Sequence, residues 1–215
     1  MTDPIDFEGD FGSSALGTFS HELRTPLAAL RMILDLGAPV ANADGGKSFD
    51  AELVQLLEAA ARELGDLVDD LQDFSRAERR QMVFTPTLQP LAALFEAVPD
   101  DGRNAVTVTL EGDTGLTGNW DPVRARRALM ALAAGVDRMG DHSGLVRATA
   151  SYTAGTVHLV LSSENPTSEP EASEPTAPIF AYFAGAAVVI AMGGALSLER
   201  RAGHCRLSVI LPPGN

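Results

Sequence analysis

The chain has 215 residues, 45% of them hydrophobic, and a formal net charge of −13. This length and composition predict a folded protein with one large domain or two small ones. The acidic charge argues against binding to nucleic acid, for which a basic surface is expected. The single cysteine, Cys205, excludes an internal disulfide and is interpreted as a small core residue in a reducing cytosol. One cysteine and four scattered histidines do not have the spacing of a metal site.

Residues 1–13 are predicted to be an N-terminal tail. The segment is acidic and lacks the pattern of a secretory signal peptide, which favours a cytoplasmic protein.

The first predicted helix carries the most informative residues of the chain. Its apolar positions recur in steps of three and four, as expected for one face of an amphipathic helix: 16, 19, 23, 27, 30 and 34. His21 follows Phe19 by two positions, about 200° around a helix, so its side chain should point away from this face. An exposed imidazole on a rigid helix can attack a phosphoryl group.

The neighbours of His21 have the chemistry that such a transfer needs. Glu22 can orient the imidazole ring or take its proton. Thr25 lies one turn further on the face of His21, where its hydroxyl can orient a water, and Arg24 can contact phosphoryl oxygens. Pro26 removes an N–H and should bend the helix. The predicted catalytic residues are therefore His21, Glu22 and Thr25, with Arg24 as a phosphoryl contact.

The segment HELRTP, residues 21–26, resembles the H-box of two-component sensor histidine kinases, whose pattern is His-Glu-X-X-Thr/Asn-Pro. The resemblance implies that His21 is phosphorylated and that Glu22 assists. It also implies that Thr25 supports dephosphorylation of a partner.

A second long helix is predicted after the connecting segment GAPVANADGGKS, with its start near Ser48-Phe49-Asp50. Its apolar residues form an unbroken heptad spine: Leu53, Leu57, Ala60, Leu64, Leu67, Leu71 and Phe74. We expect a hairpin over 14–80 that pairs with a second copy in a four-helix bundle, a homodimer that the resemblance also implies. We place the ridge from Leu64 to Phe74 in that dimer interface. The alternative is a hairpin that packs only on its own C-terminal domain.

From Val83 the pattern changes to short strands and helices, and we place a second domain at 83–215. The segment 91–98 is expected as a helix, and 114–120 as the partner strand of 105–112.

Asp121-Pro122 should cap a long helix, and a strand hairpin should turn at Ala154-Gly155. A mobile loop over 166–178, a helix over 180–192 and two final strands complete the predicted α/β sandwich.

The segment Ile179–Leu196 has no charged residue, and a membrane span is conceivable from its length. Its glycines at 185, 193 and 194 and the lack of a basic N-terminal flank favour a buried helix followed by a turn, so no membrane contact is expected.

The order of these elements resembles the ATP-binding domain of histidine kinases. Trp120-Asp121-Pro122 precedes the helix that corresponds to the first ATP-binding helix of the family, and Met192-Gly193-Gly194 corresponds to its His-Gly-Gly turn. The implied fold is α + α/β: a helical hairpin that forms a dimeric four-helix bundle, followed by a degenerate ATPase α/β sandwich.

Most nucleotide contacts of that family have no counterpart here. The two asparagines that hold magnesium and phosphates align with Ala131 and Gly135, which offer no side-chain oxygen. The adenine-binding Asp-X-Gly-X-Gly aligns with 163–167, and the glycine-rich lid with 179–182. Glu164 or Asp137 could each replace one contact. We therefore expect that ATP binding is lost and that the chain itself binds no cofactor.

An intact phosphoacceptor helix beside a lost ATP site resembles the dimeric histidine phosphotransferases. This resemblance implies phosphoryl exchange between His21 and aspartates of response-regulator receiver domains, with Mg²⁺ supplied by the receiver. Two alternatives stay open: a cytosolic histidine kinase with a divergent ATP site, and a non-catalytic dimeric pseudokinase that regulates a partner.

Overall fold

In the computed structural model, the described part of the chain comprises residues 11–36, 40–41, 47–48, 51–96, 106–140, 143–164, 179–201 and 204–212. The chain begins with two long helices that form a hairpin, α1 (Phe11–Leu36) and α2 (Ala51–Glu78). Between them, β1 (Val40–Ala41) and β2 (Lys47–Ser48) form a short antiparallel ladder. The predicted capping residues Phe49 and Asp50 lie outside the described residues.

The remaining elements alternate strands and helices. In chain order they are β3 (Thr87–Pro90), a 3₁₀ turn (Ala92–Leu94), β4 (Thr107–Gly112), β5 (Thr117–Trp120), α3 (Pro122–Met139), β6 (Leu145–Thr153), β7 (Thr156–Glu164), α4 (Phe180–Ala191), β8 (Ala195–Arg201) and β9 (His204–Leu211). The predicted loop over 166–178 lies outside the described residues.

Five strands form the main sheet, in the order β4-β6-β7-β9-β8. Strand β4 pairs with β6 in parallel, and the other neighbours are antiparallel. Along β6 and β9, buried side chains alternate with more exposed ones, which is the pattern of a sheet with one covered face. Helices α3 and α4 contact the strands of this sheet. The predicted α/β sandwich is confirmed.

Two local predictions in this domain are confirmed. Asp121 caps α3, with its Oδ1 accepting a hydrogen bond from the Arg124 N–H at 3.1 Å. Ala154 and Gly155, at φ 51° and 85°, form the two-residue turn between β6 and β7.

Two others are wrong. Strand β5 does not pair with β4: it pairs with β3, whereas β4 joins the edge of the main sheet beside β6. Alternation alone predicts a strand but not its partner, which depends on the path of the chain. The segment predicted as a helix at 91–98 forms a single 3₁₀ turn within its described residues.

The packed face of α1 is centred one residue away from the predicted stripe. Ala15, Pro26 and Ile33 are buried, whereas Leu16, Leu27 and Leu34 are exposed. One residue corresponds to about 100° around a helix, so the exposed leucines form a second apolar face.

Helix α2 buries part of its predicted spine within the single chain: Ala60, Leu67 and Phe74. Leu67 and Phe74 belong to the same buried cluster as the core of the C-terminal domain, because α4 packs against α2. Covering these two residues therefore requires no second copy. For them the alternative of a hairpin packed on its own C-terminal domain describes the structure, while Leu64 and Leu71 are only partly buried.

Helix α4 is buried around its whole circumference. Residues 182–189 are all buried, because α3 lies on one side of the helix and α2 on another. Among the described helices, none is both long and apolar enough to cross a membrane. The predicted helix at 180–192 is confirmed, with its described end at Ala191.

Candidate functional site

His21 lies on the exposed side of α1. The helix continues through Pro26, whose ring is buried, while His21, Arg24 and Thr25 are all exposed. Residues four apart lie on one helix face, so Thr25 is one turn beyond the imidazole. The prediction that His21 points away from the packed face is confirmed. A partner of protein size can therefore reach the imidazole without displacing the core.

Glu22 faces the N-terminus of α4 instead of solvent. Its side chain is half-buried, and its Oε2 accepts a hydrogen bond from the backbone N–H of Phe180, the first residue of α4, at 3.2 Å. The predicted role of Glu22, to orient the imidazole ring or take its proton, stays a prediction. In the structure the carboxylate serves as a hydrogen-bond acceptor for the N-terminus of α4, where a negative charge is also favoured by the helix dipole.

The environment of Glu22 raises the pKa of its carboxyl above the usual value of 4.5. Burial is the largest cause, because it disfavours the charged form, and the nearby carboxylates of Asp70 and Glu63 act in the same direction. The hydrogen bond from Phe180 and the positive charge of Arg138 oppose this rise. The balance shows that desolvation by the packed C-terminal domain dominates.

An aromatic cluster lies next to Glu22. Phe180 is fully buried, with its ring centroid 5.0 Å from that of Phe19 on α1 and 5.7 Å from that of Phe74 on α2. Both ring pairs are tilted, the geometry in which aromatic side chains attract each other beyond simple burial. Phe180 thus attaches α4 to both helices of the hairpin, within one turn of His21 and Glu22 on α1.

A charged cluster holds α3 to α2 on the same side of the molecule. The guanidinium of Arg127 lies 2.6 Å from Asp70, 3.5 Å from Asp73 and 3.8 Å from Asp69. These side chains are partly exposed, so each pair alone contributes little, but a guanidinium shared by three carboxylates restrains the relative position of the two helices. The hairpin and the C-terminal domain are therefore joined by apolar and ionic contacts.

Helices α3 and α4 are in close contact at the positions aligned with nucleotide-binding residues. A Cβ atom added to Gly135 would lie 2.5 Å from the ring of Tyr182, and one added to Gly185 would lie 2.7 Å from the backbone oxygen of Ala128. Ala131 is buried in the same contact. The two helices approach this closely because small residues face each other, and the Tyr182 ring occupies the space beside Gly135.

A small cavity remains where α2, α3 and α4 meet. Its volume is about 10 Å³, and its lining includes Asp70, Arg127 and Gly185. A space of this size holds one water at most.

Burial keeps two ionisable groups inside the C-terminal domain, the Cys205 thiol and the Tyr182 hydroxyl, in their protonated forms. Burial raises the pKa of the Cys205 thiol to about 11, so the reactive thiolate is scarce at neutral pH. Cys205 is buried in β9, which confirms its interpretation as a core residue. Burial also raises the pKa of Tyr182. Within the described residues, no three histidine, cysteine or acidic side chains are grouped as metal ligands.

Sequence reasoning missed Phe180 and Arg127 as parts of this site. Bulky residues at 179–182 were interpreted only as the loss of phosphate contacts. The acidic run on α2, with Asp69 and Asp70 adjacent and Asp73 one turn further, was a signal for a basic partner, but its identity depends on how α3 packs.

Comparison with known proteins identifies the N-terminal segment. Residues 13–80 match the His Kinase A (phospho-acceptor) domain family. A segment of 81 residues is 37% identical to the signal transduction histidine-protein kinase BaeS of Escherichia coli (strain K12). This match covers 38% of the chain and 16% of BaeS, so the chain spans a small part of that relative.

Solved structures resemble most of the chain. Histidine kinase AdeS of Acinetobacter baumannii matches with a TM-score of 0.64 and 20% identity, over 91% of this chain and 98% of AdeS. Full-length ShkA in complex with AMPPNP matches with a TM-score of 0.56 and 21% identity, over 92% of this chain and 45% of ShkA. Histidine kinase ThkA in complex with the response regulator TrrA matches with a TM-score of 0.50 and 15% identity, over 90% of this chain and 59% of ThkA. At these identities the likeness shows a shared fold.

Proposed function

We propose that this chain is a histidine phosphotransferase, because residues 13–80 match the His Kinase A (phospho-acceptor) domain family and the chain shares the fold of histidine kinase AdeS. In this proposal His21 exchanges phosphoryl groups with aspartates of response-regulator receiver domains. The observation that supports it is the exposure of His21, within the segment that matches the phospho-acceptor family, in a chain whose α3 and α4 are packed together at the positions aligned with nucleotide-binding residues.

The proposed step is an in-line displacement at phosphorus. The unprotonated ring nitrogen of His21 forms the N–P bond while the O–P bond of the receiver's aspartyl phosphate breaks and its electron pair leaves with the carboxylate. The proton on the other ring nitrogen passes to Glu22 or to water, which leaves a neutral phosphoimidazole. Arg24 contacts the phosphoryl oxygens, and Thr25 orients the water that hydrolyses receiver phosphate. The receiver's own Mg²⁺ supplies charge neutralisation when it is bound there.

The residues of the C-terminal domain do not fit ATP. Ala131 and Gly135 provide no oxygen ligand for a magnesium ion. The Tyr182 ring lies against Gly135, and Gly185 lies against the backbone of α3, so the space between the two helices is filled by the protein itself. Ser163, the first residue aligned with the adenine motif, is fully buried, whereas 165–167 lie outside the described residues. This packing supports the proposal that ATP binding is lost.

The second candidate is a histidine kinase with a divergent ATP site. The comparisons favour it over the phosphotransferase, because BaeS, AdeS and ThkA are all named histidine kinases. The packing at Gly135 and Gly185 is the observation against it. A pseudokinase that regulates a partner without carrying phosphate is the third candidate.

We also propose that the chain is a cytoplasmic homodimer that binds receiver domains. Leu16, Leu27 and Leu34 form an exposed apolar face on α1, and Val54 and Val68 are exposed on α2. Such a face favours burial against a second hairpin in a four-helix bundle. ThkA, which shares the fold, forms a complex with a response regulator.

The deciding experiment incubates the purified chain either with a phosphorylated receiver domain or with radiolabelled ATP and magnesium, and follows the label. If the chain is a phosphotransferase, it should take label from the receiver and none from ATP. If it is a kinase, it should take label from ATP. His21→Ala should abolish labelling with an unchanged fold, while His204→Ala, at an exposed site on β9, should be labelled like the wild type. Label on the His21→Ala protein would contradict the site assignment, and no label from either source would favour the pseudokinase.

A further inference from the structure

Glu22 has two possible partners, and the structure shows it bound to one of them. Adjacent residues of a helix point about 100° apart, so the Glu22 carboxylate must turn along the helix surface to reach the His21 imidazole. Instead, the carboxylate is half-buried and accepts the N–H of Phe180 at 3.2 Å. The oxygen held in this way, Oε2, is not available to the ring of His21, and its bond keeps the carboxylate beside α4.

The bond to Glu22 depends on the docking of α4. The Phe180 ring is fully buried between Phe19 and Phe74, and this contact places the Phe180 N–H opposite the carboxylate. The pairing of Arg127 with Asp70 and Asp73 holds α3 against the same hairpin. Movement of the C-terminal domain away from the hairpin would therefore break the hydrogen bond between Phe180 and Glu22 and at the same time expose Glu22.

We propose that Phe180 is a positioning residue that controls phosphoryl exchange at His21. While its ring is docked, its N–H holds the Glu22 carboxylate away from the imidazole, and exchange is slow. When α4 leaves the hairpin, Glu22 is released to the imidazole, and exchange becomes faster. This inference rests on the proposed function, and it gives the C-terminal domain a regulatory role that needs no nucleotide.

The surroundings of Glu22 fit such a release. Its charged neighbours are Asp70 and Glu63 on α2 and Arg138 on α3, and burial outweighs them in raising the pKa of the carboxyl. Undocking removes that burial, so the pKa of a released Glu22 falls toward its usual value of 4.5. Release therefore predicts a fall in the pKa of this carboxyl together with the change in transfer rate.

Two substitutions of one residue isolate the hydrogen bond. Phe180→Ala removes the ring and keeps the N–H, while Phe180→Pro removes both. The other contacts of α4 with α2 and α3 are common to the two variants and keep the helix near Glu22. Proline is tolerated at the first position of a helix, and the extended backbone of Ile179, at φ −77° and ψ 158°, is the conformation required before a proline. We expect transfer from a phosphorylated receiver to His21 to be about tenfold faster in Phe180→Pro than in Phe180→Ala, the lower end of what a hydrogen bond to a charged group contributes.

A Glu22→Gln background provides the test of mechanism. There the two Phe180 variants should transfer at the same rate, because neither has a carboxylate to release. Titration of the Glu22 carboxyl by NMR should give a lower pKa in Phe180→Pro than in the wild type. A Phe180→Pro protein that transfers no faster than Phe180→Ala, or a difference that persists in the Glu22→Gln background, would overturn the proposal.

A second variant tests the docking without changing α4. Arg127→Ser removes the ionic contact with α2 and should also accelerate transfer. Arg147→Ser, which breaks an exposed pair with Glu111 on the sheet, is its control and should not. Equal rates for Arg127→Ser and the wild type would count against release by undocking. If the wild type and every variant take no phosphate from a receiver, the proposed function is wrong, whereas transfer without these differences contradicts the present inference alone.

Discussion

Glu22 illustrates how neighbouring residues of one motif acquire different environments. His21 is exposed, whereas Glu22, one position later on the same helix, is half-buried beneath the N-terminus of α4. The difference follows from the helix rotation of about 100° per residue, which turns successive side chains from solvent toward the packed face. At the residue scale, the H-box is thus divided between a surface that a partner can reach and an internal contact.

The burial of Glu22 predicts a pH-dependent effect on stability. The pKa of its carboxyl is raised in the folded state, so its contribution to folding is full below the usual value of 4.5 and is lost as pH rises through the folded-state pKa. Glu22→Gln should therefore raise the melting temperature at pH 7, because the amide avoids burying a charge and can still accept the Phe180 N–H. This gain should disappear below pH 4.5.

Thermal unfolding at the two pH values checks this prediction. Glu78→Gln, at the exposed last residue of α2, is the control for the substitution itself. A Glu22→Gln protein that is less stable than the wild type at pH 7 would show that the carboxylate stabilises the docked state.

At the scale of elements, the contact between α3 and α4 is set by small side chains. Because a Cβ at Gly185 would lie 2.7 Å from the Ala128 oxygen, Gly185→Ala must force the two helices apart. We expect this substitution to destabilise the protein by about 1–3 kcal/mol, the usual cost of overpacking a core.

For a second glycine, Gly65, substitution by alanine should change the stability in the opposite direction. Gly65 lies in the interior of α2 with no atom within 4 Å of its added Cβ. Gly65→Ala should therefore stabilise the protein by about 0.5–1 kcal/mol, because alanine loses less backbone entropy in a helix. Denaturant unfolding of the two variants measures both changes, and equal effects would contradict the described packing of α3 on α4.

The two apolar faces of the hairpin predict different consequences for the same substitution. Leu67 is buried in the single chain, whereas Leu27 is exposed on α1. Leu67→Glu should unfold or aggregate the protein, because a charge would enter the core. Leu27→Glu should leave the fold intact and weaken the proposed dimer. Light scattering and circular dichroism together test this pair. A wild-type chain that is monomeric at micromolar concentration, or a Leu27→Glu protein that dimerises normally, would contradict the proposed interface.

At the scale of the whole molecule, the hairpin and the C-terminal domain share one buried cluster. Leu67 and Phe74 from α2 are packed with Phe180 and the residues of α3 and the sheet. A phosphotransferase that consumes no ATP does not need to carry a nucleotide to its histidine, so a docked C-terminal domain is compatible with that role.

The closed packing of the C-terminal domain predicts that ATP with magnesium does not raise the melting temperature. A ligand bound only to the native state adds about 2.7 kcal/mol at a hundred times its dissociation constant, which a thermal shift detects. A histidine kinase with an intact ATP site is the positive control. A saturable shift for this chain would place the kinase candidate first.

Local patterns in the sequence determined the H-box helix, the capped helix α3, the β6–β7 turn and the α/β class of the second domain. These features depend on residues close together in the chain, through helical periodicity, capping and turn chemistry. The exposure of His21 was predictable for the same reason, since it follows from its spacing to Phe19 on one helix.

Contacts between distant segments were decided only by the tertiary structure. Glu22 and Phe180 are 158 positions apart, and Arg127 and Asp70 are 57 apart. The sequence showed bulky residues at 179–182 without showing that they reach the hairpin, and it placed the packed face of α1 one residue away from where it lies. Amphipathic patterns specify that a face must be covered but not by which element. Whether α2 is covered by a second copy or by α4 therefore depends on the packing of the complete chain.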